Sequence, residues 1–190
     1  MHRIDEFRAL AQRSDWLTEA MEVARELQLP DYYVAGGAVT QVVWNQLVGR
    51  PIHQMIKDVD VIYFDRDGGL PEQLALQRRF VDLTGGRFPI DLTNQALVHQ
   101  WYDREAGETI EPYQRVEDGI DVWLSAFAVG IRIAGDRWDV YAPYGLSDLL
   151  DKRVRPNRKQ ITETTYQRLV ASYRKRWPTI EIEAWTDSDR

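Results

Sequence analysis

A strand–glycine–helix–strand unit between Tyr32 and Phe64 constrains the fold of this chain more than any other feature of its sequence. The apolar run from Tyr32 to Ala35 predicts a short buried strand, which Gly36-Gly37 interrupts. The apolar residues that follow have the i, i+3, i+4 spacing of one helix face, and they are Ala38, Val39, Val42, Val43 and Leu47. A loop is expected from Gly49 to Lys57, before a second strand that begins near Asp58. The sequence therefore predicts a glycine turn close to an acidic strand.

The acidic strand reads Asp58-Val59-Asp60-Val61-Ile62. Because successive strand side chains point to opposite faces, Asp58 and Asp60 share a face, with Cα atoms roughly 6.5 Å apart. Val59 and Val61 then point into the core. Two adjacent carboxylates repel each other unless a cation lies between them. This pattern indicates a metal site.

A third carboxylate comes from the predicted strand Phe88 to Thr93. Ile90 and Leu92 would share one face of this strand, and Asp91 and Thr93 the other. Taken alone, a residue such as Asp91 is more often an exposed strand residue than a ligand, and a lone Asp-x-Asp pair often caps a turn at the surface. A Gly-Gly turn can present backbone N–H groups to a phosphate at a helix N-terminus, or it can be a turn without a ligand. Occurring together in this order, these features favour a metal–nucleotide site.

These residues resemble the signature of the nucleotidyltransferase (polymerase beta-like) superfamily, in which Gly-Gly or Gly-Ser precedes an Asp-x-Asp or Asp-x-Glu pair. Five segments are similar to a bacterial nucleotidyltransferase family, across about Tyr32 to Trp185: VVWNQL, KDVDVIYFD, NQALVHQWY, VYAPYGLSDLL and RVRPN. The gap between Gly37 and Asp58 is longer than in the commonest members, which requires the extra loop before Asp58.

The resemblance implies an enzyme that moves a nucleoside monophosphate from a nucleoside triphosphate such as ATP to an unknown acceptor, with release of pyrophosphate. It implies that Asp58, Asp60 and Asp91 are catalytic and bind Mg²⁺ or Mn²⁺, and that Asp91 helps to deprotonate the acceptor hydroxyl. It also implies that Gly36 and Gly37 hold the triphosphate. Two alternatives stay open: a non-catalytic nucleotide-binding or regulatory module, and an antitoxin-like interaction protein. The presence of all three carboxylates favours the enzyme.

A basic segment runs from Asp151 to Lys159. Arginine side chains match phosphate oxygens in pairs, so Arg153 and Arg155 are candidate nucleotide-binding residues, although such a run is also typical of a solvated surface. Trp101 and Tyr102 are candidates for stacking on a base, with core packing as the alternative.

The pattern of elements predicts an α/β (α+β) fold: a small mixed sheet packed with helices, followed by a β-hairpin and a helix. The predicted elements include helices near Ser14 to Leu27, Leu70 to Thr84 and Asn94 to Glu105, a strand from Phe127 to Ile133, a turn at Gly135-Asp136, and a last helix with Tyr166, Leu169, Val170 and Tyr173 on one face. We expect one domain over residues 1–190, with N-terminal helices in 1–30, the site in 32–106 and an extension in 107–190.

Composition excludes several classes of function. The net charge of −6 argues against a broad nucleic-acid-binding surface, and the lack of cysteine rules out disulfides and thiolate chemistry. No apolar run approaches the length of a membrane span, and the N-terminus lacks the apolar region of a signal peptide. These features predict a cytoplasmic protein without membrane contact.

Overall fold

The computed structural model describes residues 3–102 and 109–186, which contain both helices and strands. In chain order they are α1 (Arg3–Ala11), α2 (Asp15–Glu26), β1 (Tyr33–Ala35), α3 (Gly37–Leu47), β2 (Val59–Tyr63), α4 (Leu70–Leu83), β3 (Ile90–Asn94), a 3₁₀ helix (Gln95–Gln100), α5 (Glu117–Asp121), β4 (Gly130–Ala134), β5 (Arg137–Tyr141), α6 (Ser147–Leu150), β6 (Arg153–Val154), α7 (Glu163–Arg176) and β7 (Glu181–Ile182).

One five-stranded sheet has the order β3-β2-β1-β4-β5. Strands β2 and β3 pair in parallel, and the other neighbours pair antiparallel. The β4–β5 hairpin turns at Gly135, whose φ of 65° is in the left-handed region that glycine adopts without strain. The predicted α+β class, mixed sheet and hairpin are therefore confirmed.

The two faces of this sheet are covered by different helices. Val59 and Val61 of β2 pack with Ile90 and Leu92 of β3 in the main apolar core, which also contains side chains of α1, α2, α3 and α4. Ile62 packs on the opposite face with residues around α5. Because side chains alternate along a strand, Asp60 lies on the α5 face together with Ile62. The predicted inward direction of Val59 and Val61 is confirmed.

A second sheet pairs β6 with β7 in parallel. Strand β6 lies within the predicted basic segment, and β7 follows it in the chain. Val154 of β6 is fully buried, in a cluster with Trp44, Tyr166 and Trp177. Each strand has two residues, which is too short for a period-two pattern to be recognised in the sequence.

Several predicted boundaries are wrong. Strand β3 continues through Asn94, and the Asn94 side chain caps a 3₁₀ helix by accepting a hydrogen bond from the Ala96 N–H at 3.1 Å. The predicted helix from Asn94 to Glu105 is therefore not formed in the described part of this range. Residues 103–105 lie outside the described residues. Strand β4 begins only at Gly130, because the N–H of Phe127 closes a turn onto the Leu124 carbonyl at 2.7 Å.

Other local predictions hold. The hydroxyl of Ser14 caps α2 by accepting a hydrogen bond from the Leu17 N–H at 3.3 Å. Helix α4 covers almost the whole predicted range and buries Phe80. Over residues 3–102 and 109–186, none of the helices is both long enough and apolar enough to cross a bilayer.

Candidate active site

The parallel pairing of β2 and β3 brings the predicted carboxylates together at one place on the sheet. Asp60 is the direct register partner of Asp91, and Ile62 is the partner of Thr93. Neighbouring strands lie about 4.8 Å apart, so the Asp60 and Asp91 backbones are adjacent. Asp58 immediately precedes β2 and lies two residues from Asp60. The three positions predicted to act together are therefore neighbours.

Asp60 has the most perturbed environment of the three. Its side chain is partly buried, whereas Asp58 and Asp91 are exposed. Burial, followed by the negative charges of Asp58 and Asp91, raises the pKa of Asp60 to about 7, although a hydrogen bond from the Gly37 N–H acts in the opposite direction. The carboxylate thus lies among like charges, which favours binding of a proton or a cation.

The chemistry of these groups fits a hard divalent cation. Mg²⁺ prefers oxygen ligands, and three neighbouring carboxylates supply them together with the negative charge that needs neutralising. Among the described side chains, however, no group of three or more His, Asp or Glu is already arranged to hold a metal ion. The predicted metal site therefore stays a prediction, in which the exposed Asp58 and Asp91 side chains would turn towards Asp60.

The glycine turn lies directly beside Asp60. Gly36 has a φ of 65°, and a Cβ atom at this position would come 2.9 Å from Trp123 Cζ3 and 3.4 Å from Asp60 Oδ2. Glycine is thus required at position 36 both for the backbone conformation and for the close approach of the indole ring.

The backbone N–H groups of the glycine turn already have hydrogen-bond partners within the protein, and phosphate binding by Gly36 and Gly37 stays a prediction. Gly36 donates to the Val129 carbonyl at 2.9 Å, and Gly37 donates to the Asp60 carboxylate. The first hydrogen bond of the α3 ladder joins the Thr40 N–H to the Gly36 carbonyl at 3.2 Å. The N–H groups of Ala38 and Val39, which precede this bond, are therefore the ones that a helix N-terminus offers to an anion.

Two cavities meet at Asp60. The glycine cavity, of about 300 Å³, is lined by Gly36, Gly37, Asp60, Trp123, Leu124, Phe127, Ile161, Leu169 and Tyr173. The aromatic cavity, of about 200 Å³, is lined by Asp60, Ile62, Thr93, Gln95, Val98, Trp101, Tyr102, Tyr113, Gly119, Val122, Trp123, Gln160 and Ile161. Asp60, Trp123 and Ile161 belong to both, so one carboxylate faces two binding spaces. Trp101 and Tyr102, predicted as stacking candidates, line the second.

Trp123, the shared wall, is held by a buried asparagine. The side-chain amide of Asn157 donates to the backbone carbonyls of Asp121 at 3.0 Å and Trp123 at 2.7 Å. Tyr144 also donates to the Asp121 carbonyl, at 2.5 Å. These bonds fix the segment after α5. No local sequence pattern indicates them, because Asn157 and Trp123 are 34 positions apart.

Arg153 and Arg155 are each paired with a carboxylate. The Nε of Arg153 lies 3.1 Å from Glu181 Oε2, and Nη2 of Arg155 lies 2.7 Å from Asp148 Oδ2. Neither residue lines the glycine cavity or the aromatic cavity. Nucleotide binding by these arginines stays a prediction, and their ion pairs indicate a structural role instead.

The arginine that lies near the glycine turn is Arg176, at the end of α7. Its Nη1 donates to Gln41 Oε1 at 3.0 Å, while Nε2 of the same glutamine lies 3.2 Å from the place of a Cβ on Gly37. The Nε of Arg176 is buried, with no hydrogen-bond partner among the described residues. Sequence reasoning missed this residue because its contact with Gln41 spans 135 positions.

The five-stranded mixed sheet thus places the glycine turn beside neighbouring strand aspartates, the arrangement that the resemblance to nucleotidyltransferases implies. A family model described as "Nucleotidyltransferase" matches residues 22–182, and the chain therefore belongs to this nucleotidyltransferase family.

A solved structure supports the same conclusion. An NMR structure described as revealing a CCA-adding enzyme head domain is 25% identical in sequence, with a TM-score of 0.80, over 95% of this chain and 96% of that one. No curated protein matched the chain. Family and fold together support an enzyme of the nucleotidyltransferase class.

Proposed function

We propose that the protein transfers a nucleoside monophosphate from a nucleoside triphosphate to an acceptor hydroxyl and releases pyrophosphate, with Mg²⁺ or Mn²⁺ as cofactor. The observation that carries this proposal is the environment of Asp60, which is partly buried beside Asp58 and Asp91. Among the described residues, no Lys or Arg forms an ion pair with Asp60. A cation supplied with the substrate would neutralise this cluster.

In this proposal Asp58, Asp60 and Asp91 hold the divalent ion. When bound, the ion would neutralise charge on the substrate phosphates. The acceptor oxygen forms a bond to the α-phosphorus, and the bond from that phosphorus to the oxygen bridging to the β-phosphate breaks. The Asp91 carboxylate accepts the proton of the acceptor hydroxyl, and pyrophosphate leaves.

The glycine cavity is the proposed seat of the triphosphate. The N–H groups of Ala38 and Val39 lie at the positive end of α3, which favours phosphate oxygens. Arg176 is the proposed phosphate-pairing cation, because its hydrogen bond to Gln41 places it beside Gly37. Phe127 and Tyr173 provide aromatic faces in the same cavity.

The test is to incubate the protein with each labelled nucleoside triphosphate, Mg²⁺ and a cell extract, and to identify the labelled product. Asp60→Asn should abolish labelling, and Asp136→Asn, an exposed hairpin-turn variant of the same chemistry, should leave it unchanged. Labelling that persists in Asp60→Asn would place the chemistry elsewhere in the chain.

A non-catalytic nucleotide-binding module is the second candidate. The observation in its favour is that the three aspartates are not already arranged as a metal-ligand group within the described residues. Such a module would bind triphosphate in calorimetry and yield no labelled product with any extract. The antitoxin-like hypothesis stays a prediction.

A further inference from the structure

We propose that the aromatic cavity is the acceptor subsite and that it takes an unphosphorylated nucleoside. This inference rests on the proposed function, because it assigns the acceptor of that same site. It is carried by one unpartnered amide, by the aromatic walls around it and by the charge of the lining residues.

The unpartnered amide belongs to Gln95. Its side chain is only 5% exposed and lines the aromatic cavity. Within residues 3–102 and 109–186, the carboxamide of Gln95 has no hydrogen-bonding side chain or backbone group beside it, and its atoms are not among the fully enclosed unpaired ones, so they are open to the cavity. An amide that faces a cavity and has no protein partner can pair with the polar atoms of a ligand that enters the cavity.

Gly119 makes room for this amide. A Cβ atom on Gly119 would lie 2.0 Å from Gln95 Oε1, so any larger residue on this face of α5 would displace the glutamine. The missing side chain therefore allows the carboxamide to lie close to the helix backbone at Gly119. The position of the amide therefore depends on two residues that are far apart in the sequence.

The cavity walls suit a planar ring. Four aromatic residues line the cavity, namely Trp101, Tyr102, Tyr113 and Trp123. Tyr113 is held in place by a hydrogen bond from its hydroxyl to Gln160 Oε1 at 3.0 Å. Aromatic side chains stack on any nucleobase, and a carboxamide offers the adjacent donor and acceptor that pair with a base edge. The class of ligand that can both stack on these rings and pair with the carboxamide is a nucleobase.

The charge of the lining residues selects an uncharged form of this ligand. Neither Lys nor Arg is among the described residues that line the aromatic cavity, and Asp60 contributes a carboxylate. The glycine cavity also has Asp60 in its lining, but the N-terminus of α3 and Arg176 lie beside it. The described lining of the aromatic cavity offers a phosphate only the Asp60 carboxylate, which disfavours a phosphorylated nucleoside or the end of a nucleic-acid strand as the occupant. The ligand with a nucleobase and no phosphate is a nucleoside.

Asp60 connects this occupant to the donor. Because Asp60 and Trp123 belong to both cavities, a sugar hydroxyl in the aromatic cavity can face an α-phosphorus in the glycine cavity. The hydroxyl oxygen then bonds to that phosphorus, pyrophosphate leaves and a carboxylate takes the proton. The product is two nucleosides joined by a phosphodiester.

Titration calorimetry with adenosine, guanosine, cytidine and uridine, each without triphosphate or metal, tests the subsite. We expect at least one of them to bind, its 5′-monophosphate to bind more weakly, and bound triphosphate not to compete with it. Gln95→Leu should weaken binding by about tenfold or more, since it removes the amide that pairs with the bound base and keeps a similar side-chain volume. Gly119→Ala should weaken it by displacing the same amide. Gln12→Leu, the same change at an exposed position, should have no effect.

The outcomes separate the alternatives. If no nucleoside binds, or if Gln95→Leu binds as tightly as wild type while remaining folded, the subsite is wrong. If Gln95→Leu weakens triphosphate binding and nucleosides compete with triphosphate, the cavity holds the base of the donor, and the acceptor assignment is overturned. Gln95-dependent nucleoside binding without nucleotidyl transfer would overturn the proposed function and leave the nucleoside site standing.

Discussion

Asp60 is partly buried and Asp148 is buried, and the charged groups around the two carboxylates have opposite signs. Asp148 is 6% exposed, and both Nε and Nη2 of Arg155 lie 2.7 Å from its Oδ2. Asp60 has the carboxylates of Asp58 and Asp91 near it and, among the described residues, the Gly37 N–H as its hydrogen-bond donor. The charge of Asp148 is thus neutralised by the protein itself, whereas the charge of Asp60 is available to a bound cation.

This difference separates a structural carboxylate from a functional one. A buried charge is tolerated when it is paired, and breaking such a pair destabilises the fold because the remaining charge stays buried. A carboxylate held among like charges destabilises the folded state and is retained where its function requires it. Mutating Asp60 should therefore change the rate of nucleotidyl transfer, whereas mutating Asp148 should change the stability of the fold.

The largest expected effect is that of Asp60→Asn on nucleotidyl transfer. The asparagine keeps the shape and loses the charge, so we expect the rate to fall by about 10³-fold, as for other removals of electrostatic stabilisation. Labelled product per minute at saturating Mg²⁺ is the measurement. Asp148→Asn should instead lower the melting temperature and keep the rate per folded molecule. A similar rate loss in both variants would show that the contrast between the two sites is wrong.

The pH dependence of stability should also distinguish Asp60. Its pKa in the folded state, about 7, is above the ordinary 3.8, so its contribution to stability is present below the ordinary value and is lost as pH rises through 7. Without metal, Asp60→Asn should therefore become more stable relative to wild type as pH rises from about 5 to about 8, by roughly 5 °C in melting temperature. Asp136→Asn should follow the wild type. A constant difference between Asp60→Asn and wild type would contradict the raised pKa.

Removing the partner of Asp148 should have a smaller effect, on stability alone. Arg155→Met leaves a buried carboxylate without a cation, and we expect a loss of about 2 kcal/mol in the free energy of unfolding, reduced from the fully buried case because the arginine side chain is 43% exposed. Urea unfolding measures this loss. Arg153→Met is the matched control, because its partner Glu181 is 64% exposed and the pair should contribute less than about 1 kcal/mol. A loss of triphosphate affinity in Arg155→Met would instead support its predicted nucleotide binding.

The smallest expected effect concerns Arg176, whose Nε has no hydrogen-bond partner in the part of the chain that the structure describes. Arg176→Met should weaken triphosphate binding by about tenfold, the size of one hydrogen bond to a charged group. Calorimetry with a triphosphate and Mg²⁺ is the measurement, and the same titration of Arg155→Met is the control. Equal affinities of Arg176→Met and wild type would remove Arg176 from the phosphate site.

The sequence predicted the parts of the site that depend on local periodicity. Alternation along two short strands predicted that Asp60 points away from Val59 and Val61 and that Asp91 points away from Ile90 and Leu92, because side-chain direction in a strand repeats every two residues. The direct pairing of Asp60 with Asp91 also required the parallel register of β2 and β3, which no local pattern contains. The order of the elements could thus predict the acidic cluster and could not predict its register.

The missed residues act through tertiary contacts. Arg176 looks like part of a basic helix end, and only the packing of α7 against α3 brings it to Gln41. In the same way, Arg153 and Arg155 look like free cations until the structure shows Glu181 and Asp148 beside them. Charge in a sequence predicts which residues can bind phosphate, and the partners that compete for them are set by the fold.

The close approach of Gly36 and Trp123 has a consequence for the evolution of this family. A Cβ on Gly36 would lie 2.9 Å from the indole ring, so a larger residue at position 36 is compatible with the fold only if the residue at 123 is smaller. We therefore expect the two positions to covary among relatives. Because Trp123 borders both cavities, the substitution of this tryptophan by another residue in a relative would change the shape of both cavities at once.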